Sequence, residues 1–306
     1  MPDDPDESFI VDTLLRSRPE GPPKGPSSAL FNPGDDAAVL HDNACVTVDA
    51  MVEGVHWDER LSAADVGWKL VAVNASDINA MGGVPDWAVL TVAIPRPIDR
   101  EWVHAFAQGL SQALDEWGIT LVGGDTTRSP GAKMLSLTLS GQAQRPIGRD
   151  GAQPGEDIWV SGPLGAAAAG FFIAEADTSA LRRPTPPVGM GASLADIATS
   201  MMDLSDGLAR DLPRLCSASG VGALVDPAAI PVHPAVKHSL SMALGFGEEY
   251  ELLFTAPRRF RERIMNVGAE HNRTPTRIGA TNGSETAELE GQDWPALSFS
   301  HFGDTQ

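Results

Sequence analysis

Positive charge is scarce in this sequence of 306 residues. It holds 22 Lys and Arg against 41 Asp and Glu, which gives a formal net charge of −19 at pH 7. Binding DNA or RNA requires clustered Lys and Arg side chains that neutralise phosphates, so we expect no nucleic acid as the main partner. An acidic surface keeps a protein in solution, and that role accounts for most of the excess.

Cysteine and long apolar segments are scarce as well. Cys45 and Cys216 are too few for a disulfide framework and match no zinc or CxxC pattern, so we expect two small buried residues in a reducing compartment. No apolar run approaches the roughly 18 residues of a membrane span. The acidic start lacks the features of a signal peptide. The sequence therefore predicts a soluble, cytoplasmic protein with no membrane partner.

The common nucleotide and hydrolase motifs are also absent. The sequence contains no GxxxxGK(S/T) phosphate loop, no GxGxxG following a strand, no HExxH and no GxSxG. A nucleotide enzyme built on these templates is therefore disfavoured.

Strand and helix patterns alternate along the chain. One helix is predicted where Ser62 and Asp65 match a capping box and the glycine pair at Gly82 ends the pattern. Its apolar face also carries Asn74 and Asp77. The other predicted segments are strands at 45–48, 87–95, 119–125, 134–143, 157–162 and 249–257, and helices at 99–118, 165–176 and within 205–220.

A run rich in proline and glycine, at 145–157, breaks both patterns. We therefore expect an N-terminal mixed αβ domain over residues 1–145 and a C-terminal α/β domain over residues 146–306.

Aspartates recur where apolar runs end. They are Asp35, Asp36, Asp49, Asp77, Asp125, Asp203 and Asp206. Each alone is an ordinary turn residue, but strand ends in open α/β sheets are where ligands sit. If several converge, two unit charges roughly 4 Å apart repel by about 4 kcal/mol at an effective dielectric constant near 20. Mg²⁺ prefers carboxylate and phosphate oxygens, so it would turn that repulsion into ligation and align a nucleotide phosphate for in-line transfer.

Glycine and arginine near these aspartates favour the same interpretation. The pair Gly123 and Gly124 allows close approach of backbone N–H groups to phosphate oxygens, and Gly207 starts a helix whose N-terminus favours anions. Arg128 and Arg149 are candidates for binding phosphate, although either also fits a surface ion pair.

Six motifs, in order and at similar spacing, resemble the thiamine-monophosphate kinase family. They are GDDAAVL, TVDAMVEGVHW, KLVAVNASDINAMGG, GGDTTRSP, MDLSDGLARDL and GEEYELLFT, and the resemblance covers about residues 5–302. The family belongs to the superfamily of aminoimidazole ribonucleotide synthetase and selenophosphate synthetase. The resemblance implies phosphorylation of thiamine monophosphate to thiamine diphosphate by ATP with several Mg²⁺ ions. It also implies a homodimer whose N-terminal αβ domains pair their sheets, each followed by a C-terminal α/β domain.

The resemblance also implies roles for single residues. The implied metal ligands are Asp36, Thr47, Val48, Asp49, Asp77, Asp125, Asp203 and Asp206. The implied ATP-binding residues are Gly124, Asp125, Arg149 and Ser205, and the implied thiamine-side residues are His56 and Glu248. No catalytic residue separate from the metal ligands is implied. The chain departs from the family at Phe246 and Glu249, and at Val48, which offers only its carbonyl.

Two alternatives stay open from the sequence. One is another ATP-using enzyme of the superfamily, similar to aminoimidazole ribonucleotide synthetase. The other is a non-catalytic acidic protein that binds cations through turn aspartates. A selenophosphate synthetase is disfavoured because residues 1–30 contain no cysteine.

Overall fold

The structure is a computed structural model that describes residues 7–16, 34–40 and 42–295. Two β-sheets follow one another along these residues, the first of five strands and the second of six. The helices are α1 (Glu7–Arg16), α2 (Ala63–Ala80), α3 (Arg100–Glu116), α4 (Ala166–Phe172), α5 (Ser179–Arg182), α6 (Met190–Leu194), α7 (Leu208–Ser219), α8 (Leu240–Gly245) and α9 (Arg261–Glu270). Within the described ranges, no helix combines the length and apolarity needed to span a membrane.

The first sheet has the strand order β1-β2-β5-β3-β4. Its strands are β1 (Ala38–Val39), β2 (Ala44–Val52), β3 (Gly83–Ile94), β4 (Thr120–Arg128) and β5 (Met134–Ala143). β5 pairs antiparallel with β2 and β3, whereas β4 runs parallel to β3 because α3 connects the two strands. β4 lies at the edge of the sheet, and all nine of its residues are exposed.

The second sheet has the strand order β11-β8-β10-β6-β9-β7. Its strands are β6 (Asp157–Val160), β7 (Ser200–Asp203), β8 (Gly222–Val225), β9 (Leu252–Ala256), β10 (Thr276–Asn282) and β11 (Ala287–Leu289). β8 and β11 are parallel, and the other pairs are antiparallel. Both sheets carry helices, so the mixed α/β class is confirmed. The division at residue 145 stays a prediction.

Helix α2 is buried on most of its surface. The capping box is confirmed, because the Asp65 N–H donates to Ser62 Oγ at 3.2 Å and the Ser62 N–H donates to Asp65 Oδ2 at 3.2 Å. Fourteen of its 18 residues are buried. The helix packs on the first sheet and on α3, and it also contacts α6 and β7 of the second half. It therefore lies between the two halves of the fold.

Two strand ends differ from the sequence prediction. β2 and β4 each continue for three residues past Asp49 and Asp125, so the expectation that these aspartates end their strands is wrong. The physical reason is ladder pairing: residues beyond Asp49 still pair with β5, and residues beyond Asp125 still pair with β3.

Both cysteines are free and buried, which confirms their interpretation as small core residues. Burial raises the pKa of Cys45 and of Cys216 to about 11, so neither thiol ionises near neutral pH.

The crossing of α2 and α3 depends on two glycines. A Cβ atom at Gly109 would lie 1.8 Å from the Ala64 carbonyl oxygen, and one at Gly67 would lie 2.3 Å from the Phe106 carbonyl oxygen. Such contacts are too short, so any side chain here must push the helices apart.

We expect Gly109→Ala to lower the free energy of unfolding by about 1–3 kcal/mol, because a methyl group would overpack the helix crossing. Denaturant unfolding of the purified protein measures this change. Gly131→Ala is the matched control, since a Cβ atom there meets nothing within 4 Å. Equal stability of the two variants would contradict the close crossing.

Candidate active site

Three carboxylates meet between α2 and the two sheets. Asp36 precedes β1, Asp77 lies in the last turn of α2 and Asp203 ends β7. One oxygen of each lies within 4.8 Å of the others. Asp36 Oδ2 is buried and has no hydrogen-bond partner among the described residues. Three carboxylate oxygens at this spacing, with Asp36 Oδ2 unpaired, suit a hard divalent cation such as Mg²⁺.

Burial raises the pKa values of all three carboxylates of this cluster, and repulsion from neighbouring carboxylates raises those of Asp77 and Asp203 further. For Asp77 the largest cause is burial, followed by the charges of Asp49, Asp203 and Asp36. For Asp203 the causes are burial and then the charge of Asp36. The pKa of Asp36 is also raised by burial, although Arg149 opposes the change. The cluster therefore lacks enough positive charge from the described residues, and a divalent cation would supply it.

Hydroxyl groups orient two of the three carboxylates. Thr47 Oγ1 donates to Asp77 Oδ2 at 2.6 Å, and Ser76 Oγ donates to Asp203 Oδ2 at 2.6 Å. Ser76 is fully buried and Asp203 is 1% exposed. Such donors fix the direction of carboxylate oxygens in metal sites. Thr47 thus lies where the sequence places a ligand, and it already contacts the cluster.

Asp49 lies beside the cluster on β2. Its backbone N–H donates to Asn74 Oδ1 at 3.1 Å, which ties the strand to α2. Its charge acts on Asp77, so the two carboxylates are neighbours. The structure thus brings together Asp36, Thr47, Asp49, Asp77 and Asp203 of the predicted metal ligands.

Asp125 lies on the other face of the first sheet. Asp125 pairs with Thr91 and Thr91 pairs with Ser136, which pairs with Ala50, the neighbour of Asp49. Because side chains alternate along a strand, Asp125 and Asp49 point to opposite faces. β4 is also three strands from β2, about 14 Å at the usual strand spacing. One chain therefore does not bring Asp125 to the carboxylate cluster, and its role stays a prediction.

Val48 and Gly124 also have structural explanations. The Val48 side chain is 61% exposed on the face opposite Thr47, so only its backbone carbonyl could serve as a ligand. A Cβ atom at Gly124 would lie 2.0 Å from the Leu90 carbonyl oxygen. Packing of β4 on β3 therefore requires this glycine, whether or not a phosphate binds there.

Arg149 and Asp206 are both engaged in ion pairs. The Arg149 guanidinium donates to Asp36 Oδ1, and its backbone N–H donates to Asp35 Oδ1 at 2.9 Å. Asp206 Oδ2 accepts from Arg214 Nη1 at 2.5 Å. Arg149 therefore adjoins the cluster, and its role in ATP binding stays a prediction. Asp206 lies outside the group of three.

Ser205 lies in the loop between β7 and α7. Its carbonyl oxygen accepts the Glu248 N–H at 2.8 Å, so this loop contacts the segment predicted to bind thiamine. The predicted start of α7 after Gly207 is confirmed. Roles of Ser205 in ATP binding and of Asp206 in metal binding stay predictions.

The two predicted thiamine-side residues lie in turns of different halves. His56 Nδ1 accepts the Val52 N–H at 3.0 Å in the turn after β2. Glu248 Oε1 accepts from Lys69 Nζ at 2.7 Å, so this carboxylate is bound to α2. Their contacts with a substrate stay predictions.

The departures from the family pattern have internal partners. Phe246 packs against Phe171 and Phe172, with ring centroids at 5.0 and 5.4 Å. Glu249 Oε1 accepts the Gly165 N–H at 2.7 Å, and burial raises the pKa of Glu249 to about 8. Both residues therefore have structural roles.

Three further residues at this site were missed from the sequence. Lys69 and Ser76 are polar side chains inside an apolar helical pattern, which was the available signal. Tyr250 is the single tyrosine of the chain and is 8% exposed. Burial and then the charges of Glu248 and Asp49 raise the pKa of Tyr250, so its hydroxyl keeps its proton. The sequence FSHF at 299–302, which resembles the aromatic ending of the family, lies outside the described residues.

Two family models match most of the chain. Residues 34–143 match the AIR synthase related protein, N-terminal domain, and residues 153–291 match the AIR synthase related protein, C-terminal domain.

Curated relatives of the chain carry the name thiamine-monophosphate kinase. The protein of Salmonella typhimurium is 39% identical over 250 residues, which are 73% of this chain and 75% of that protein. The protein of Aquifex aeolicus is 29% identical over 291 residues, which are 88% of this chain and 92% of that protein.

Solved structures are similar over nearly the whole chain. AaThiL complexed with AMPPCP and TMP has a TM-score of 0.84 at 28% identity and covers 97% of both chains. Thiamine-monophosphate kinase from Stenotrophomonas maltophilia K279a has a TM-score of 0.77 at 33% identity, over 93% of this chain and 95% of that chain. The hydrogenase maturation protein HypE in complex with ATP, 20% identical, shares the fold with a TM-score of 0.69.

We expect Asp77→Asn to stabilise the protein in the presence of a chelator, because it removes one charge from the carboxylate cluster. The gain should be about 1–2 kcal/mol, a fraction of the repulsion between two unit charges. The same variant should lose most of the rise in unfolding midpoint that Mg²⁺ gives the unchanged protein. Thermal unfolding with EDTA and with Mg²⁺ measures both.

Asp115→Asn makes the same charge change on an exposed side chain of α3 and serves as the control. An Mg²⁺-induced shift retained in full by Asp77→Asn would exclude this carboxylate as a ligand.

Proposed function

Because this chain belongs to the thiamine-monophosphate kinase family, with both domains of the AIR synthase related proteins, we propose that it phosphorylates thiamine monophosphate with ATP. The observation that carries the proposal is 39% identity to such a kinase over 73% of the chain. The similar AaThiL structure holds AMPPCP and TMP, which supports both substrates. These findings favour a kinase over a synthetase-like enzyme and over a non-catalytic acidic protein.

The reaction needs no general base from the protein. An oxygen of the acceptor phosphate attacks the terminal phosphorus of ATP, the bond from that phosphorus to the bridging oxygen breaks, and ADP leaves with its electron pair. The second pKa of a phosphate monoester is about 6, so the acceptor is already ionised at neutral pH. The protein therefore has to position two anions and offset their charge, which is consistent with no catalytic residue apart from the metal ligands.

Several Mg²⁺ ions are assigned to the acidic site. Mg²⁺ held by Asp36, Asp77 and Asp203 would supply the positive charge that offsets the phosphate charge during in-line transfer. The unpaired Asp36 Oδ2 and the spacing of Asp36, Asp77 and Asp203 support this assignment. Thr47 and Asp49 lie beside Asp77 and are assigned to the same metal site. Val48, Asp125 and Asp206 remain predicted ligands.

We assign ATP to Arg149 and Ser205. Arg149 adjoins Asp36, and its guanidinium suits a phosphate oxygen. Gly124 and Asp125 lie on β4 and are predicted to complete the nucleotide site. The acceptor is assigned to His56 and Glu248.

We also propose that the protein is a homodimer whose first sheets associate through the β4 region. β4 is a fully exposed edge strand of nine residues, which is a template for pairing with another strand. Leu121 and Val122 on this strand are 41% and 59% exposed. Asp125 also lies on the outer face, where one chain alone leaves it far from the carboxylate cluster.

The first experiment incubates the purified protein with ATP, Mg²⁺ and thiamine monophosphate. We expect thiamine diphosphate and ADP in equal amounts. Asp49→Asn and Asp203→Asn should each reduce kcat by more than about 100-fold, since even outer contacts of a metal site contribute 10–100-fold. Asp115→Asn should behave as the unchanged protein. A failure of the unchanged protein to form thiamine diphosphate would overturn the proposed function.

The association of two chains is tested by Val122→Lys. A lysine on an edge strand opposes strand pairing, so we expect sedimentation to show a monomer where the unchanged protein is a dimer. Leu224→Lys is the control, because Leu224 is 45% exposed but β8 is paired on both sides. A dimer that survives Val122→Lys would place the interface elsewhere.

A further inference from the structure

Two of the bonds between helix α2 and the second half of the fold lie on one side of the helix. Lys69 bonds Glu248 and Ser76 bonds Asp203. Seven residues separate Lys69 from Ser76, which is about two helical turns, or roughly 10.5 Å along the axis. The two side chains therefore project in nearly the same direction, one toward the predicted acceptor residue and the other toward the carboxylate cluster.

The pair of Lys69 and Glu248 is unusual in its burial. The Lys69 side chain is 3% exposed and that of Glu248 is 28% exposed, and their atoms are 2.7 Å apart. A buried ammonium group is retained only when a partner offsets its loss of hydration. Among the described residues, Lys69 gives Glu248 the one hydrogen bond of its carboxylate, through Oε1. The second oxygen, Oε2, is left for another donor.

The segment that carries Glu248 is held in a constrained backbone conformation. Gly247, Glu248 and Tyr250 have φ angles of 82°, 59° and 52°, in the region that disfavours residues with a side chain. The Glu248 N–H donates to the Ser205 carbonyl oxygen at 2.8 Å, and the Tyr250 N–H donates to that of Leu204 at 2.9 Å. Such strain persists where the surroundings over-determine it, often at ligand sites.

The loop that carries Gly247 and the loop that carries Ser205 also approach too closely to leave room for a side chain between them. A Cβ atom at Gly247 would lie 2.3 Å from the Ser205 carbonyl oxygen. The acceptor segment is thus anchored to the loop after β7 by its backbone and to α2 by Lys69.

We infer that Lys69 is a positioning residue that sets the Glu248 carboxylate for the acceptor. With Oε1 bound to Lys69, Oε2 accepts an N–H donor of the aminopyrimidine ring of thiamine monophosphate. Ser76 sets Asp203 at the phosphoryl-transfer end of the same helix. α2 therefore fixes the separation between ring recognition and phosphoryl transfer. This inference rests on the proposed function.

The chemistry of the acceptor explains why such a spacing matters. Thiamine monophosphate carries its aminopyrimidine ring at one end and its reacting phosphate at the other, so the protein must position both ends at once. A rigid helix between the two anchors places the phosphate oxygen for attack when the ring is bound, and small displacements of reacting atoms reduce rates strongly.

The test compares Lys69→Met with Ser76→Ala. We expect Lys69→Met to raise the KM for thiamine monophosphate by about 10- to 100-fold, the effect of losing one hydrogen bond to a charged group. The KM for ATP and the Mg²⁺ requirement should change little. Ser76→Ala should show the reverse: a higher Mg²⁺ concentration for half-maximal rate and little change in the KM for thiamine monophosphate.

Arg183→Met is the matched control. Arg183 Nε also joins the second half of the fold to α2, through Asp65 at 2.7 Å, but at the far end of the helix from the carboxylate cluster. Loss of this ion pair should leave both KM values within about twofold, because partly exposed pairs contribute little.

A pair of variants separates positioning from simple loss of charge. Glu248→Gln should raise the KM for thiamine monophosphate, and Lys69→Met/Glu248→Gln should be no worse than Glu248→Gln alone, because Lys69 acts through Glu248. The double variant has no unpaired buried charge, so it remains informative if Lys69→Met fails to fold.

The outcomes are distinct. If the unchanged protein makes no thiamine diphosphate, the proposed function itself is wrong. If it does, and Lys69→Met keeps the KM for thiamine monophosphate, the inference alone is wrong. Three other outcomes would show that Lys69 has only a structural role and would also overturn the inference. Lys69→Met could raise the KM values for thiamine monophosphate and ATP equally, or Arg183→Met could have effects of the same size. The losses of Lys69→Met and Glu248→Gln could also add in the double variant.

Discussion

The structure depends on one constraint: polar side chains of the buried helix α2 must find partners. An unpaired buried polar group costs roughly 2–7 kcal/mol, depending on the reference state. Among the described residues, Asn79 Nδ2 stays buried without a partner. Otherwise five polar residues of α2 meet this demand by bonding four other segments, since Thr47 and Asp49 both belong to β2. Their partners are Glu248 for Lys69, the Asp49 backbone for Asn74, Asp203 for Ser76, Thr47 for Asp77 and the Gly191 backbone for Asn79. The same bonds that satisfy the helix therefore assemble the candidate active site.

Repulsion within the carboxylate cluster lowers the stability of the folded protein, although the same carboxylates are the proposed metal ligands. Burial raises the pKa values of Asp36, Asp77 and Asp203, and the charge of Asp36 raises those of Asp77 and Asp203 further, which gains nothing for folding. Arginines line the margin, with Arg149 on Asp36, and they offset only part of the charge. Conflicts of this kind are expected at functional sites, where a ligand removes them. A divalent cation bound there, as proposed above, would therefore stabilise the folded state.

Glycines at the site illustrate how packing and function share positions. Gly124 is required by the close approach of β4 to Leu90, and Gly247 by the close approach to Ser205. A glycine motif that suggests phosphate binding in the sequence is thus also a packing requirement in the fold. Gly123, by contrast, meets only Val89 at 3.9 Å, so packing does not explain it. Gly123 is therefore available for the close backbone approach to a nucleotide phosphate that the sequence indicates.

Local features were readable from the sequence because they are encoded within a few residues. The capping box at Ser62, the strand at 134–143 and the helix after Gly207 all lie where their patterns predict. Helical spacing likewise put Asn74 and Asp77 on a buried face. Strand ends were less certain, since Asp49 and Asp125 break an apolar run without ending the ladder. Pairing with neighbouring strands decided those limits.

By itself, then, the sequence determined the acidic composition, the order of elements and the identity of the aspartates, since residue type and short periodicity encode these. Only the tertiary structure decided which aspartates meet. It joined Asp36, Asp77 and Asp203, left Asp125 on the opposite face of the sheet, and paired Lys69 with Glu248 across 179 positions. Contacts at such separations depend on how sheets and helices pack, and no local pattern in a single chain records them.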